Sequence, residues 1–220
     1  MPNSVALPDG DTLLEISTPE GYAGDLIAAA MKPFMEDLGR VVYAWNSLQE
    51  ELAKLFWAVC VGLEASGIPL AIWHELKSDR LQRDVLRAAA MARNGATFYE
   101  KLKYPLPGTM EEIAWLLERA NSLEDRRNNV VHATYMFAVN TMEMHPWDFF
   151  GNKRAKNLKA KNLKGENLTE ELRLCRATAE LLNNFSFKLK FVVGGQLDTL
   201  PERPLLPTQG QKTGSRSRPK

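Results

Sequence analysis

From Phe34 to Val59 the chain sets down an apolar residue at alternating steps of four and three: Phe34, Leu38, Val41, Trp45, Leu48, Leu52, Leu55 and Val59. A period near 3.5 residues keeps one stripe of an α-helix facing a single neighbour, so this seam demands a long helix packed nearly parallel to another. Pro33 suits the first helical position, because the N–H it lacks is one that a first turn leaves unbonded anyway. Gly67 and Pro69 mark the stop. A helix of about 33 residues spans roughly 50 Å, longer than one small bundle layer covers, and a partner chain is therefore expected.

Three more helical stretches follow. Leu70 to about Arg93 reads as a second helical region, with Ser78 or Asp79 capping a fresh start, Gln82 in the reciprocal position, and Val85, Leu86, Ala89 and Ala92 as its buried stripe. Asn94-Gly95 and the YPLPG run at 104–108 interrupt it. Thr109 with Glu112 reads as a capping box for a third helix, whose stripe is Ile113, Leu116, Ala120 and Leu123, then in the same phase Arg127, Val130 and Thr134. Residues 134–168 hold a β-favouring TYMFAV run, Pro146 and Gly151, so a short hairpin or ordered loop is expected there. Asn-Leu pairs five residues apart, at Asn157, Asn162 and Asn167, are too few for a solenoid and read as a local accident of a basic loop. Thr169 is the expected cap of a last helix bearing Leu172, Cys175, Ala179, Leu182, Leu189 and Val193, ended by Gly194-Gly195.

The expected fold is all-α, a bundle of four to five long amphipathic helices with a short β-hairpin or loop excursion before the last helix. Residues 1–32 read as an irregular arm with one short helix near Asp25–Met31, residues 33–200 as the bundle, and residues 201–220 as a disordered, basic, proline-rich tail.

Charge and composition narrow the function. A formal net charge of +1 excludes a surface that is all nucleic-acid footprint, so any such contact must be a local patch. Cys60 and Cys175 both fall in apolar helical patterns and read as small buried hydrophobes in a reducing compartment. The N-terminal residues lack the pattern of a signal peptide, and no run of apolar residues is long enough to span a bilayer. The expected location is the cytoplasm, away from membranes. Glycine-rich phosphate loops, a Gly-x-Ser-x-Gly elbow and a dinucleotide fingerprint are missing from the sequence. With three histidines and no carboxylate–histidine pair at ligand spacing, no metal and no cofactor is expected.

The segment EDRRNNVVHATY, residues 124–135, is where chemistry concentrates. Arg127 lies in phase with a core stripe, where a cation is costly unless paired or placed at a shared interface. Asn128 and Asn129 are weak helix formers in mid-pattern, and His132 stands four residues after Asn128 on the same helical face. Arg127-Asn128-Asn129-Val130-Val131-His132 resembles the Arg-Asn-x-x-x-His motif of HEPN domains (higher eukaryotes and prokaryotes nucleotide-binding). The order of elements over roughly residues 34–195 is similar to theirs as well: long helices, a motif late in one of them, a strand-like excursion, a last helix.

That resemblance implies a homodimer with the motif of each chain lining one cleft, and a metal-independent endoribonuclease. His132 would act as general base or acid, Arg127 would bind the scissile phosphate, and Asn128 would orient one of them. The RNA 2′-hydroxyl would be the nucleophile, leaving a 2′,3′-cyclic phosphate. The toxin branch of the family carries a tyrosine two residues after the histidine. Thr134 stands there in this chain and Tyr135 comes one later, so that tyrosine's role is not carried over.

Arg126 and the basic loop residues Lys153, Arg154 and Lys156 are the expected substrate contacts, with Lys159, Lys161 and Lys164 continuing the run. Trp147, Phe149 and Phe150, just before it, would either stack on bases or anchor the excursion to the core. His74 reads as a packed or surface residue and His145 as part of a turn. Two rival readings use the same residues. One is a catalytically silent HEPN-like dimer binding a nucleotide, an RNA or a regulatory protein, with Arg127 locked by Glu124 or Asp125. The other is a structural helical dimer without ligand, with His132 buried.

Overall fold

The computed structural model describes residues 22–62, 66–95, 103–147 and 158–208. The elements in order are α1 (Tyr22–Val61), α2 (Ile68–Glu75), α3 (Asp79–Asn94), α4 (Thr109–His132), β1 (Tyr135–Ala138), β2 (Glu143–Pro146), α5 (Leu158–Asn162) and α6 (Leu168–Val193). The fold is mostly α-helical with one small hairpin, as the apolar periodicities require.

The seam on α1 is the spine of the core. Val41, Trp45, Leu48, Leu52, Leu55 and Val59 are all buried, while Phe34 and Leu38 pack at its edge. Helix α1 runs along α6, whose Leu172, Cys175, Ala179, Leu182, Phe185, Leu189 and Val193 face it or α4. Helices α3 and α4 close the other side, with Leu86, Ala90, Ile113, Leu116, Ala120, Leu123 and Val130 buried.

Helix α1 begins at Tyr22, not at Pro33, so the region expected as an arm is helical from there on, and residues 1–21 lie outside the described residues. Pro33 is tolerated inside the helix because it and Ala29, whose carbonyl loses its partner, are both exposed to water.

Two expected caps differ, and a third holds only in part. Helix α4 starts from Gly108, whose φ of 84° is left-handed and whose Cβ, if present, would come within 3.2 Å of Leu200 Cδ1. Thr109 is thus already inside the helix and its hydroxyl donates to the Leu106 carbonyl at 2.8 Å, while Glu112 binds Arg203. Helix α6 is capped by Asn167, which accepts from the Glu170 amide at 3.1 Å, so Thr169 is not the cap. Ser78 does cap α3, accepting from the Leu81 amide at 3.2 Å, but Gln82 donates to the Trp73 carbonyl instead of reaching back.

The excursion is an antiparallel hairpin pairing Tyr135 with Pro146 and Ala138 with Glu143. His145 therefore stands in a strand, not a turn. The Asn-Leu spacing is also more than a loop feature, since Leu163 and Leu168 are buried and Asn167 is a cap. Of the tail expected to be disordered over 201–220, residues 201–208 instead run without regular structure along α4, and residues 209–220 lie outside the described residues. Arg203 forks onto Glu112 at 2.9 and 3.1 Å and lies over the Trp115 ring, and Leu206 packs on the core. The missing apolar period ruled out a helix there, not docking.

Two polar devices lock the long helices together. Arg93, in the last turn of α3, donates to the carbonyls of Ala58 and Val59 in α1 at 2.8 and 3.1 Å, and to that of Val193 in α6 at 3.2 Å. Glu51 of α1 holds Lys190 of α6 at 3.3 Å in the interior and binds Lys54 with its other oxygen. Removing the carboxylate by Glu51→Gln should leave Lys190 charged between Phe187 and Phe191 and cost about 3–5 kcal/mol in a urea denaturation. Lys190→Met should cost clearly less, because Glu51 keeps Lys54. Equal losses would mean that the pair contributes only packing.

Candidate functional site

The last turns of α4 place the motif at the surface end of a helix whose first half is deep in the core. Val130 anchors this end at 0% exposure, so the positions around it point outward or sideways. The helix continues without a break through Asn128 and Asn129 and ends at His132. Its final turn is held by the hairpin: the Tyr135 hydroxyl donates to the Val130 carbonyl, and the Tyr135 ring packs edge-on against Phe34 at 4.9 Å. Burial pushes that hydroxyl well above the usual phenol range, and it acts as a cap on α4.

Arg127, Asn128 and His132 come together. Arg127 Nη1 donates to Asn128 Oδ1 at 2.9 Å and stands 3.4 Å from His132 Nε2. The His132 ring is exposed, whereas Arg127 is half-buried. Among the described residues Arg127 forms no ion pair, and its Nε has no hydrogen-bond partner. What holds it is an aromatic face: its guanidinium carbon lies 5.6 Å from the centre of the buried Trp45 ring on α1.

Glu124, one expected partner of Arg127, is engaged elsewhere. Arg83 of α3, only 1% exposed, donates from Nη2 to Glu124 Oε2 at 2.5 Å and from Nε to Asn121 Oδ1 at 2.6 Å. Arg83 also lies 5.6 Å from the Trp45 ring centre, and the Trp45 Nε1–H donates to Asp79 Oδ2 at 2.8 Å. Trp45 was legible as a seam residue but not as part of a site, and Arg83 was missed altogether. Its signal was present: Arg83, Leu86 and Ala90 follow the same three–four spacing, so a cation stands in an apolar stripe there just as at Arg127.

The expected substrate contacts divide. Arg126 turns to α6, where its Nη2 meets both Glu171 carboxylate oxygens at 3.0 and 2.9 Å, so it ties two helices together and does not face His132. Lys153, Arg154 and Lys156, with Phe149 and Phe150, lie outside the described residues. Lys159 of α5 does reach the site, close enough for its charge to act on His132. Helix α5 is set there by buried Ala160 and by the Asn162 amide, which donates to Asn129 Oδ1 at 3.3 Å. Trp147 is half-buried and its amide donates to the Thr134 carbonyl at 2.8 Å, closing the base of the hairpin.

His132 is therefore a histidine among cations. Partial burial, then the charges of Lys159 and Arg127, hold its pKa below the ordinary imidazole value. Such a ring is neutral at neutral pH and able to accept a proton.

Other reactive groups sit elsewhere. Cys60 and Cys175 are both free thiols, and burial raises the pKa of each, that of Cys175 to about 11, which makes them poor nucleophiles. His74 is exposed on α2, and His145 has Glu143 at 3.8 Å. Among the described residues no three His, Cys, Asp or Glu side chains gather to hold a metal ion, and no helix is long and apolar enough to cross a membrane. Open grooves of about 360 and 220 Å³ run between α1 and α6, but Arg127, Asn128 and His132 line neither. Their arginines Arg40, Arg173 and Arg176 are paired with Asp37, Glu170 and Glu180.

Comparison with protein-family models, with curated proteins and with solved structures finds no match. The geometry of the motif thus stands as its own argument.

Each cation beside His132 disfavours the imidazolium, so removing one must raise the pKa. A proton titration of His132 by NMR should give a value below that of a free imidazole, and Lys159→Ala should move it upward. A downward move, or none, would mean that α5 does not approach the ring in solution.

Proposed function

We propose that the chain is a HEPN-like, metal-independent endoribonuclease that works as a homodimer, with Arg127, Asn128 and His132 as its reacting cluster. The observation that carries this reading is the juxtaposition of Arg127 and His132 at the exposed end of α4, with Arg127 lacking a carboxylate partner among the described residues. A cation held on an aromatic face beside a neutral imidazole suits an anionic substrate that must lose a proton.

The chemistry needs no more than these groups. The 2′-hydroxyl oxygen attacks the adjacent phosphorus, His132 takes its proton, and Arg127 balances the charge that builds on the phosphoryl oxygens. The P–O5′ bond breaks, leaving a 2′,3′-cyclic phosphate and a 5′-hydroxyl, whose proton comes from a second acid. In a symmetric dimer the second copy of His132 supplies it when that ring carries a proton, so each turnover needs one ring neutral and the other protonated. Asn128 fixes the direction of the Arg127 guanidinium through its 2.9 Å hydrogen bond.

A homodimer agrees with two further features. No groove described above encloses the motif, so a second surface would complete the cleft. Helix α1 also leaves Leu26, Met35 and Tyr43 at 50%, 53% and 76% exposure along its length.

The rival in which the motif is a buried structural network needs a shielded His132, and the ring is exposed in the single chain. The silent binder would have Arg127 locked by Glu124 or Asp125; among the described residues Arg127 pairs with neither, and Arg83 takes an oxygen of Glu124.

The deciding experiment is incubation of the purified protein with RNA in excess chelator, alongside His132→Ala, with product ends identified and the oligomeric state measured. Cleavage leaving cyclic phosphates should fall by about 10²–10⁴-fold in the variant while the dimer persists. Cleavage indifferent to His132, or a monomer that still cleaves, would sink the proposal.

A further inference from the structure

We infer that Arg83 is a positioning residue for the motif: by holding Glu124 it keeps Arg127, three residues further along α4, without a carboxylate among the described residues and able to take an anion beside His132. The inference rests on the reading of Arg127 as the anion-binding group.

Glu124 and Arg127 stand three apart on α4, the spacing at which an acid and a base on a helix ordinarily pair. They do not, because a second guanidinium reaches the same carboxylate from α3. Arg83 has the stronger claim for a physical reason. It is almost fully buried, its two bonds to Glu124 and Asn121 are short and directed, and a charge at that depth interacts more strongly with its partner than a half-exposed one does.

Trp45 makes the arrangement possible. Both guanidinium carbons lie 5.6 Å from the centre of its ring, so one indole takes two cations while a single carboxylate neutralises only one of them. Asp79 fixes the indole through Nε1 and also faces Arg83, with Arg80 opposing it. The cluster therefore ends with one cation unneutralised, and that cation is the one next to His132. Were Glu124 released, it would turn to Arg127 and an incoming phosphate would have to displace it.

The test is a double-mutant cycle with Arg83→Met, Glu124→Gln and the pair, read by the His132 NMR titration and by binding of an uncleavable 2′-O-methyl RNA oligonucleotide. Arg83→Met should free Glu124 to neutralise Arg127, raise the His132 pKa and weaken binding by about tenfold. Glu124→Gln alone should leave both readouts near wild type, and the pair should restore both. In an Arg127→Ala background, Arg83→Met should move the His132 pKa no further.

A merely structural arginine would not be rescued by removing its own partner. Unchanged readouts in Arg83→Met, or a folded double variant that fails to recover, would overturn the inference. Should Arg83→Met not fold, Arg83→Lys keeps the buried charge but cannot hold Glu124 and Asn121 together, and it must shift both readouts the same way or the idea fails. If the wild type binds no oligonucleotide, the ribonuclease reading falls, while the His132 titrations still decide the role of Arg83.

Discussion

Everything in this molecule hangs on the closure of the α1 seam against α6, α3 and α4. Trp45, Leu48, Leu52 and Leu55 are at most 1% exposed, and the residues that meet them come from every long helix. Burial of that stripe orders α1, and an ordered α1 is the surface on which the other helices take their places. The candidate site is part of the same event. Trp45 is both a core residue and the platform under Arg127, so the side chain that closes the interior also sets the chemistry at its edge.

How much of this was legible in the sequence depended on distance along the chain. The seam on α1, the stripe on α4 and the ending of α6 at Gly194-Gly195 were readable, because a helical face is a pattern among residues a few positions apart. Arg127 and His132 were readable as neighbours for the same reason. Caps were less legible. Thr109 and Glu112 have the right spacing, but Gly108 offered a left-handed start and Arg203, remote in sequence, claimed the glutamate. The Arg83–Glu124–Trp45 cluster joins three helices, and Arg126 meets Glu171 across a fourth, so no local pattern announces either.

The electrostatics of the site follow from which acid is spent on which base. Arg126 is neutralised by Glu171 and Arg83 by Glu124, and Arg203 by Glu112 further up the helix. Among the described residues Arg127 is left over, and Lys159 adds its charge from α5. The end of α4 tends to favour a protonated histidine, since helix carbonyls point outward there. At His132 partial burial and two cations outweigh that tendency.

A heptad seam has a weakness that polar contacts repair. Apolar residues repeating every seven positions fit their neighbours nearly as well after a slip of one heptad, a shift of about 10 Å along the axis. Packing alone would leave α1 free to choose among such positions. Arg93 removes the choice at one end, because its guanidinium can reach the last carbonyls of α1 and α6 only when both helices finish together. Glu51 and Lys190 repeat the check nearer the middle. Trp45 lies about four turns from the Arg93 clamp, a length set by the helical rise. A guanidinium at the far end of the bundle is thus the ruler that puts an indole under Arg127.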